Sequence, residues 1–303
     1  MALKAYWKRI KLSDLTSNST VNFDFGEPVT PVMFGLCGYS LSFTKGKGHN
    51  VAWMQVSATL GTGSAGVVPL ALTGKMYDNG GNQADPETSY LDYTVLGWTG
   101  SNSGLVSLGT GVLEASGSSY QPSSIPPTVY ASAPVLGGFE ANYSESDNQV
   151  MQISMSAALS GTNVALSGEM VDNKRHHVAN VQLAGGALLS GVSAPGFAIK
   201  TISNKQTSAN VAVAFADALP SGTRLIDCAA ILNGFTVGYS SGKAHDIATI
   251  QIGQQGGNGH PYVSGTDVIV PGPMALMTDK GTPNHDQDDA ISGIDMTVIG
   301  IYV

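Results

Sequence analysis

His49 and His245 are the residues whose type and setting most invite a chemical role. They stand in Gly46-Lys47-Gly48-His49-Asn50 and Gly242-Lys243-Ala244-His245-Asp246. A histidine beside a carboxylate can act as a base or a metal ligand. No further His or acid recurs beside both, so each reads as a hairpin histidine bonded to loop backbone. The acidic loops offer different chemistry. Asp78, Asp85 and Glu87 gather in one, and Asp279, Asp286, Asp288 and Asp289 in another. Asp286-Gln287-Asp288-Asp289 presents oxygens suited to a hard cation, and Ca²⁺ is the one cofactor the chain suggests, with Asp279, Asp286, Asp288 and Asp289 as its ligands. The spacing is not that of an EF-hand. His176 and His177 are adjacent, so on a strand they face opposite ways and read as a solvated hairpin tip.

Two short motifs suggest catalysis and fail on context. Gly61-Thr62-Gly63-Ser64-Ala65-Gly66 matches a dinucleotide-binding turn, but Val67-Val68-Pro69 follows where a helix is needed. Gly238-Tyr239-Ser240-Ser241-Gly242 matches a nucleophile elbow, but it lies between strand-like runs rather than at a strand-to-helix turn. No nucleophile, base and orienting group assemble from these motifs, so the chain is expected not to be an enzyme.

The elements that must carry such residues repeat. Gly38-Tyr39-Ser40-Leu41-Ser42-Phe43 returns as Gly138-Phe139-Glu140-Ala141-Asn142-Tyr143 and as Gly234-Phe235-Thr236-Val237-Gly238-Tyr239. The aromatic pairs Tyr39/Phe43, Phe139/Tyr143 and Phe235/Tyr239 are read as core anchors. Met54-Gln55-Val56-Ser57 is matched to Met151-Gln152-Ile153-Ser154, which removes three residues from the second copy's preceding loop. Gly74 to Asn79 matches Gly168 to Asn173, and Asp92-Tyr93-Thr94-Val95-Leu96-Gly97 matches Asp295-Met296-Thr297-Val298-Ile299-Gly300. The closing strand of the middle copy does not align.

Val51 to Ala58 alternates with one apolar face, as a half-buried strand does, and no long stretch has helical periodicity. The expectation is an all-β chain of three tandem, sequence-related β-sandwich or jelly-roll-like modules of about 100 residues each. A basic arm spans 1–12, and the modules span 13–115, 128–200 (shortened) and 208–303. Segments 116–127 and 203–208 read as linkers.

Only 12% of the 303 residues are charged, Gly contributes 38, and the net charge is −8. Lys4, Lys8, Arg9 and Lys11 take four of the 14 basic residues, so the acidic remainder argues against nucleic-acid binding by the body. No apolar run is long enough for a membrane helix. The N-terminus has no signal-peptide pattern, so synthesis in the cytoplasm is expected, with function in an assembled particle, a virion or outside the cell after release. Two cysteines make no disulfide framework. So little charge on so much surface suits buried subunit interfaces. The leading expectation is a self-assembling structural subunit of a virion, capsid, tail, tube or fibre, partnered by its own copies or other structural subunits. Lys4, Tyr6, Trp7, Lys8, Arg9 and Lys11 would form its docking arm. The second is a tandem carbohydrate-binding or adhesive protein that takes surface glycans, with or without Ca²⁺.

Overall fold

A computed structural model describes residues 2–303 except 16–19, 45–47, 101–104, 108–111, 122–124, 126–127, 144–148, 175–179, 194, 240–245, 255–258 and 280–290. The fold is all-β. An arm of β1 (Ala2–Lys11) and β2 (Thr20–Asp24) precedes β3 (Thr30–Ser42), β4 (Val51–Leu60), β5 (Val67–Asp78) and β6 (Tyr90–Thr99). Three short strands follow, β7 (Leu105–Ser107), β8 (Glu114–Ala115) and β9 (Ser119–Tyr120). Then come β10 (Ala131–Asn142), β11 (Val150–Ser160), β12 (Asn163–Asp172) and β13 (Asn180–Ser190). After β14 (Phe197–Lys205) and β15 (Val211–Ala214), the last stretch runs through β16 (Leu225–Gly238), β17 (Ile247–Gln254), β18 (Tyr262–Ser264), β19 (Asp267–Val270), β20 (Pro273–Asp279) and β21 (Gly293–Tyr302). Strands such as β4 alternate buried and less buried residues, as half-buried strands should. β3, β6 and β21 are buried almost throughout, their polar residues Ser40, Asp92, Thr94 and Thr297 included.

Three tandem sandwiches are not what these strands form. The sheets run β1-β6-β3-β17-β20, β2-β5-β4-β10-β13-β7 and β14-β21-β16-β11-β12-β9, with a small β15-β19-β18 sheet beside them. Each large sheet joins strands from two parts of the chain. β3 pairs with β17, β10 with β4, and β16 with β11, all antiparallel, so the pairing closes on itself. Ser203 to Lys205 lie in β14 rather than a linker, and Ser116 and Gly117 donate backbone hydrogen bonds to Val181 and Leu166.

The three recurring motifs sit at the three crossings. Tyr39 stands opposite Ile252, Phe139 opposite Val56, and Phe235 opposite Met155. Their rings meet: the centroids are 5.6 Å apart for Tyr39–Phe139, 5.9 Å for Tyr39–Phe235 and 5.7 Å for Phe139–Phe235. Offset or edge-on aromatic pairs at such distances add ~0.5–1.5 kcal/mol each beyond the area they bury. The second aromatics also act alike. The N–H of Phe43, Tyr143 and Tyr239 donates to the carbonyl of Ala248, Ala52 and Met151, each at 2.9 Å.

These pairings correct the alignment of the middle copy. Val56 corresponds to Met155, not Ile153, and the preceding loop is one residue shorter rather than three. The error spans two residues, so it left every side chain on its proper face and went unseen in the alternation. The closing strand missing from the middle copy is β13. Its Ala184 faces Gly138 as Asp92 faces Gly38 and Asp295 faces Gly234. That substitution hid the strand, because the acids of the other two copies both have partners on an outer strand. Asp92 binds Arg9 of β1, and Asp295 accepts the N–H of Asn204 at the end of β14 at 2.6 Å.

The glycine that opens each motif lies at a break in register, and its backbone runs against the neighbouring strand. A Cβ on Gly138 would sit 2.4 Å from the carbonyl oxygen of Val56 and 2.8 Å from Cα of Ser57. Only backbone could move aside. Gly138→Ala is therefore expected to destabilise the protein by ~1–3 kcal/mol, the usual range for overpacking. Urea unfolding of the two proteins measures the difference.

Candidate functional site

The basic arm is not a free tail. β1 pairs with β6 over ten residues, from Ala2 opposite Thr99 to Lys11 opposite Tyr90. Lys4 forms an ion pair with Glu27, and Lys8 Nζ donates to the carbonyl of Asn22 at 2.6 Å. Tyr6 packs edge-on against Phe23 and Phe25. Arg9 binds Asp92 through two hydrogen bonds of 2.9 and 2.8 Å and lies 4.0 Å from the Tyr90 ring centroid. The arm is thus an integral outer strand of its own chain, and Lys4, Lys8 and Arg9 have partners within that chain.

A cleft of about 390 Å³ opens beside β1. One wall is Ala5 to Trp7, the second is Ile226 to Cys228 at the start of β16, and the third is His260 to Val263 leading through β18. β1 is held to β16 by Asp227, whose Oδ2 accepts the Ala5 N–H at 3.0 Å while Oδ1 accepts the Cys228 N–H at 2.8 Å. Burial pushes the Asp227 carboxyl up; the two backbone donors and Lys4 oppose the rise without cancelling it. His260 packs on Trp7 with centroids 5.0 Å apart, and its Nδ1 lies 2.9 Å from the Pro261 carbonyl. That carbonyl can only accept, so Nδ1 carries the proton and a neutral ring leaves Nε2 as an acceptor. Gly259 makes the approach possible: φ is +70°, and a Cβ there would lie 2.6 Å from Arg9 Nη2. The Trp7 indole N–H is buried and has no acceptor among the described residues. Ile226 and Tyr262 are exposed at the mouth.

A second cleft, of about 650 Å³, occupies the corresponding place beside β14. Tyr130 to Ser132 precede Phe139 by the same interval as Ile226 to Cys228 precede Phe235. Ile199 faces Ile299 on β21 as Ala5 faces Leu96 on β6. The position is shared but the chemistry is not: Ala131 stands where the first cleft has Asp227, and Thr201 where it has Trp7.

The other sequence candidates fall elsewhere. His49 Nδ1 lies 2.6 Å from Asp78 Oδ2, and its ring packs on Phe43 at 4.3 Å. Burial pushes the Asp78 carboxyl up, but hydrogen bonds from Asn82 and His49 outweigh it and hold the group below the usual carboxylate range. His49 also exchanges two backbone hydrogen bonds with Ile247, both 2.9 Å, so it pins a hairpin to β17. Asp279 ends β20 opposite Ile247. His245, Asp286, Asp288, Asp289, His176 and His177 lie outside the described residues. Among the described residues no three His, Cys, Asp or Glu side chains gather as a metal site. Tyr39, Phe43, Phe139, Tyr143, Phe235 and Tyr239 are all buried. Cys37 and Cys228 are free thiols, both pushed up to about 12 by burial. Asp227, His260 and Tyr262 were missed because none belongs to a recurring motif.

No protein-family model matches the chain, and no curated protein matches it significantly. No helix among the described residues is long and apolar enough to cross a membrane.

Asp92 sits under the arm with only 2% of its surface exposed. Burial pushes its carboxyl up to about 6, although Arg9 pulls the other way. The folded protein therefore keeps this proton to higher pH than the unfolded chain does. The group's contribution is full below about 4 and is lost as pH rises through about 6. Relative to Asp92→Asn, the native protein should gain up to ~3 kcal/mol between pH 7 and pH 4, at ~1.4 kcal/mol for each tenfold difference in proton affinity between the folded and unfolded chains. Denaturant midpoints of both proteins across that range measure the gain.

Proposed function

We propose that this chain is a non-enzymatic structural subunit that assembles with copies of itself. The supporting observation is where its exposed apolar side chains lie. Among the described residues seven large apolar side chains are exposed, and Tyr130, Val192, Ile226 and Val303 are four of them. These four lie where β10 and β16 begin and where β13 and β21 end. Tyr130 N–H donates to the Ser190 carbonyl, and Arg224 and Val303 exchange backbone hydrogen bonds of 3.0 and 3.1 Å. The buried residues beneath that end form their own cluster, with Leu3, Trp98, Leu188, Ile231 and Ile301 among them. An exposed apolar patch on a chain with 12% charged residues has the composition of an interface core.

The occupant this favours is a second copy, because every copy presents the same apolar side chains at that end and an isologous contact needs only self-complementarity. A particle, tube or fibre is the finer form of this reading. The arm contributes by completing the sheet rather than by reaching across to a neighbour.

Sedimentation of the purified chain should show a multimer that Tyr130→Asp combined with Val192→Asp converts to monomer. Both positions are exposed, so the fold should survive the change. A native chain that sediments as a monomer at every concentration would refute the proposal.

A further inference from the structure

Beyond assembly, the cleft beside β1 has the groups of a small-molecule site. Its volume of about 390 Å³ lies within the range such sites occupy. Two of its polar groups retain capacity. Asp227 accepts one backbone N–H on each oxygen, and each oxygen keeps a second lone pair. His260 spends Nδ1 on Pro261 and leaves Nε2. Tyr262 places an exposed ring at the mouth. Two acceptors and an aromatic platform suit a ligand with several hydroxyl groups and an apolar face. A cation is the less favoured occupant, because the Arg9 guanidinium already lies 6.0 Å from the Trp7 centroid.

We infer that this cleft binds a monosaccharide or the terminal sugar of a glycan, with Asp227 and His260 hydrogen-bonding its hydroxyls, Tyr262 stacking on its ring and Trp7 forming part of the wall. The second cleft, with Ala131 and Thr201 at the corresponding positions, lacks this set and does not share the specificity.

The test follows the Trp7 indole N–H resonance of the full chain while glucose, galactose, mannose and N-acetylglucosamine are added separately at millimolar concentrations. At least one sugar should shift that resonance with saturation. Asp227→Asn should weaken the binding about tenfold or more, because a charged acceptor is lost from a desolvated pair. Tyr262→Ala alters an exposed side chain, keeps the fold, and should weaken the same sugar. Failure of all four sugars to move the resonance would overturn the inference, as would a shift unchanged in both variants. Tetramethylammonium moving it where sugars do not would overturn it in favour of a cation site. The Tyr130→Asp, Val192→Asp protein should bind the same sugar as the native chain, so that loss of assembly and loss of binding are read separately although Ile226 borders both.

Discussion

Three aromatic rings in mutual contact set the constraint from which the architecture follows. Tyr39, Phe139 and Phe235 lie about one hundred residues apart along the chain, yet each ring touches the other two. A local β-sandwich would keep each ring inside its own segment. To bring them together, the strand bearing each ring must leave its segment and pair with a strand of another. β3, β10 and β16 all do so, at equivalent registers. The glycines before the rings then become necessary, since a Cβ at Gly38 or Gly138 would run into the carbonyl of Ile252 or Val56. Burial of both faces of β3 has the same origin.

Much of this was legible in the sequence. The alternation in β4 and β17, the turn glycines and the aromatic spacing all point to an all-β chain, and the recurrence of Gly38, Gly138 and Gly234 marks positions under backbone constraint. What the sequence conceals is the choice of partner. Pleat parity says which side chains share a face, but not which strand lies alongside, and a two-residue slip leaves parity intact. The Met54/Met151 match failed for that reason, because Val56 and Met155 serve the same place while their neighbours differ. Ala184 hid β13 by removing the acid that marks Asp92 and Asp295. The arm misled differently: its four cations resemble a docking tail, whereas Arg9, Lys8 and Lys4 each have a partner within reach of β1.

The cleft beside β1 was the least legible feature. Trp7, Asp227 and His260 come from three distant stretches and share no spacing, so only the pairing of β1 with β6 and the Ala5–Asp227 hydrogen bond bring them together. Its counterpart beside β14 shows how one architecture yields different surfaces. The strand crossing fixes where a cleft forms, and individual side chains determine what it can hold. The exposed apolar end and the clefts are both products of the same closure, which leaves strand beginnings and ends gathered on one side.

The closure itself is the central claim, and native-state hydrogen exchange on Phe235→Ala tests it most directly. If the three parts of the chain form one cooperative unit, amide protection falls together in β3, β10 and β16, including Tyr39 and Phe139 far from the substitution in sequence. Loss of protection confined to residues 208–303, with β3 and β10 unchanged, would contradict it and return the chain to three independent modules.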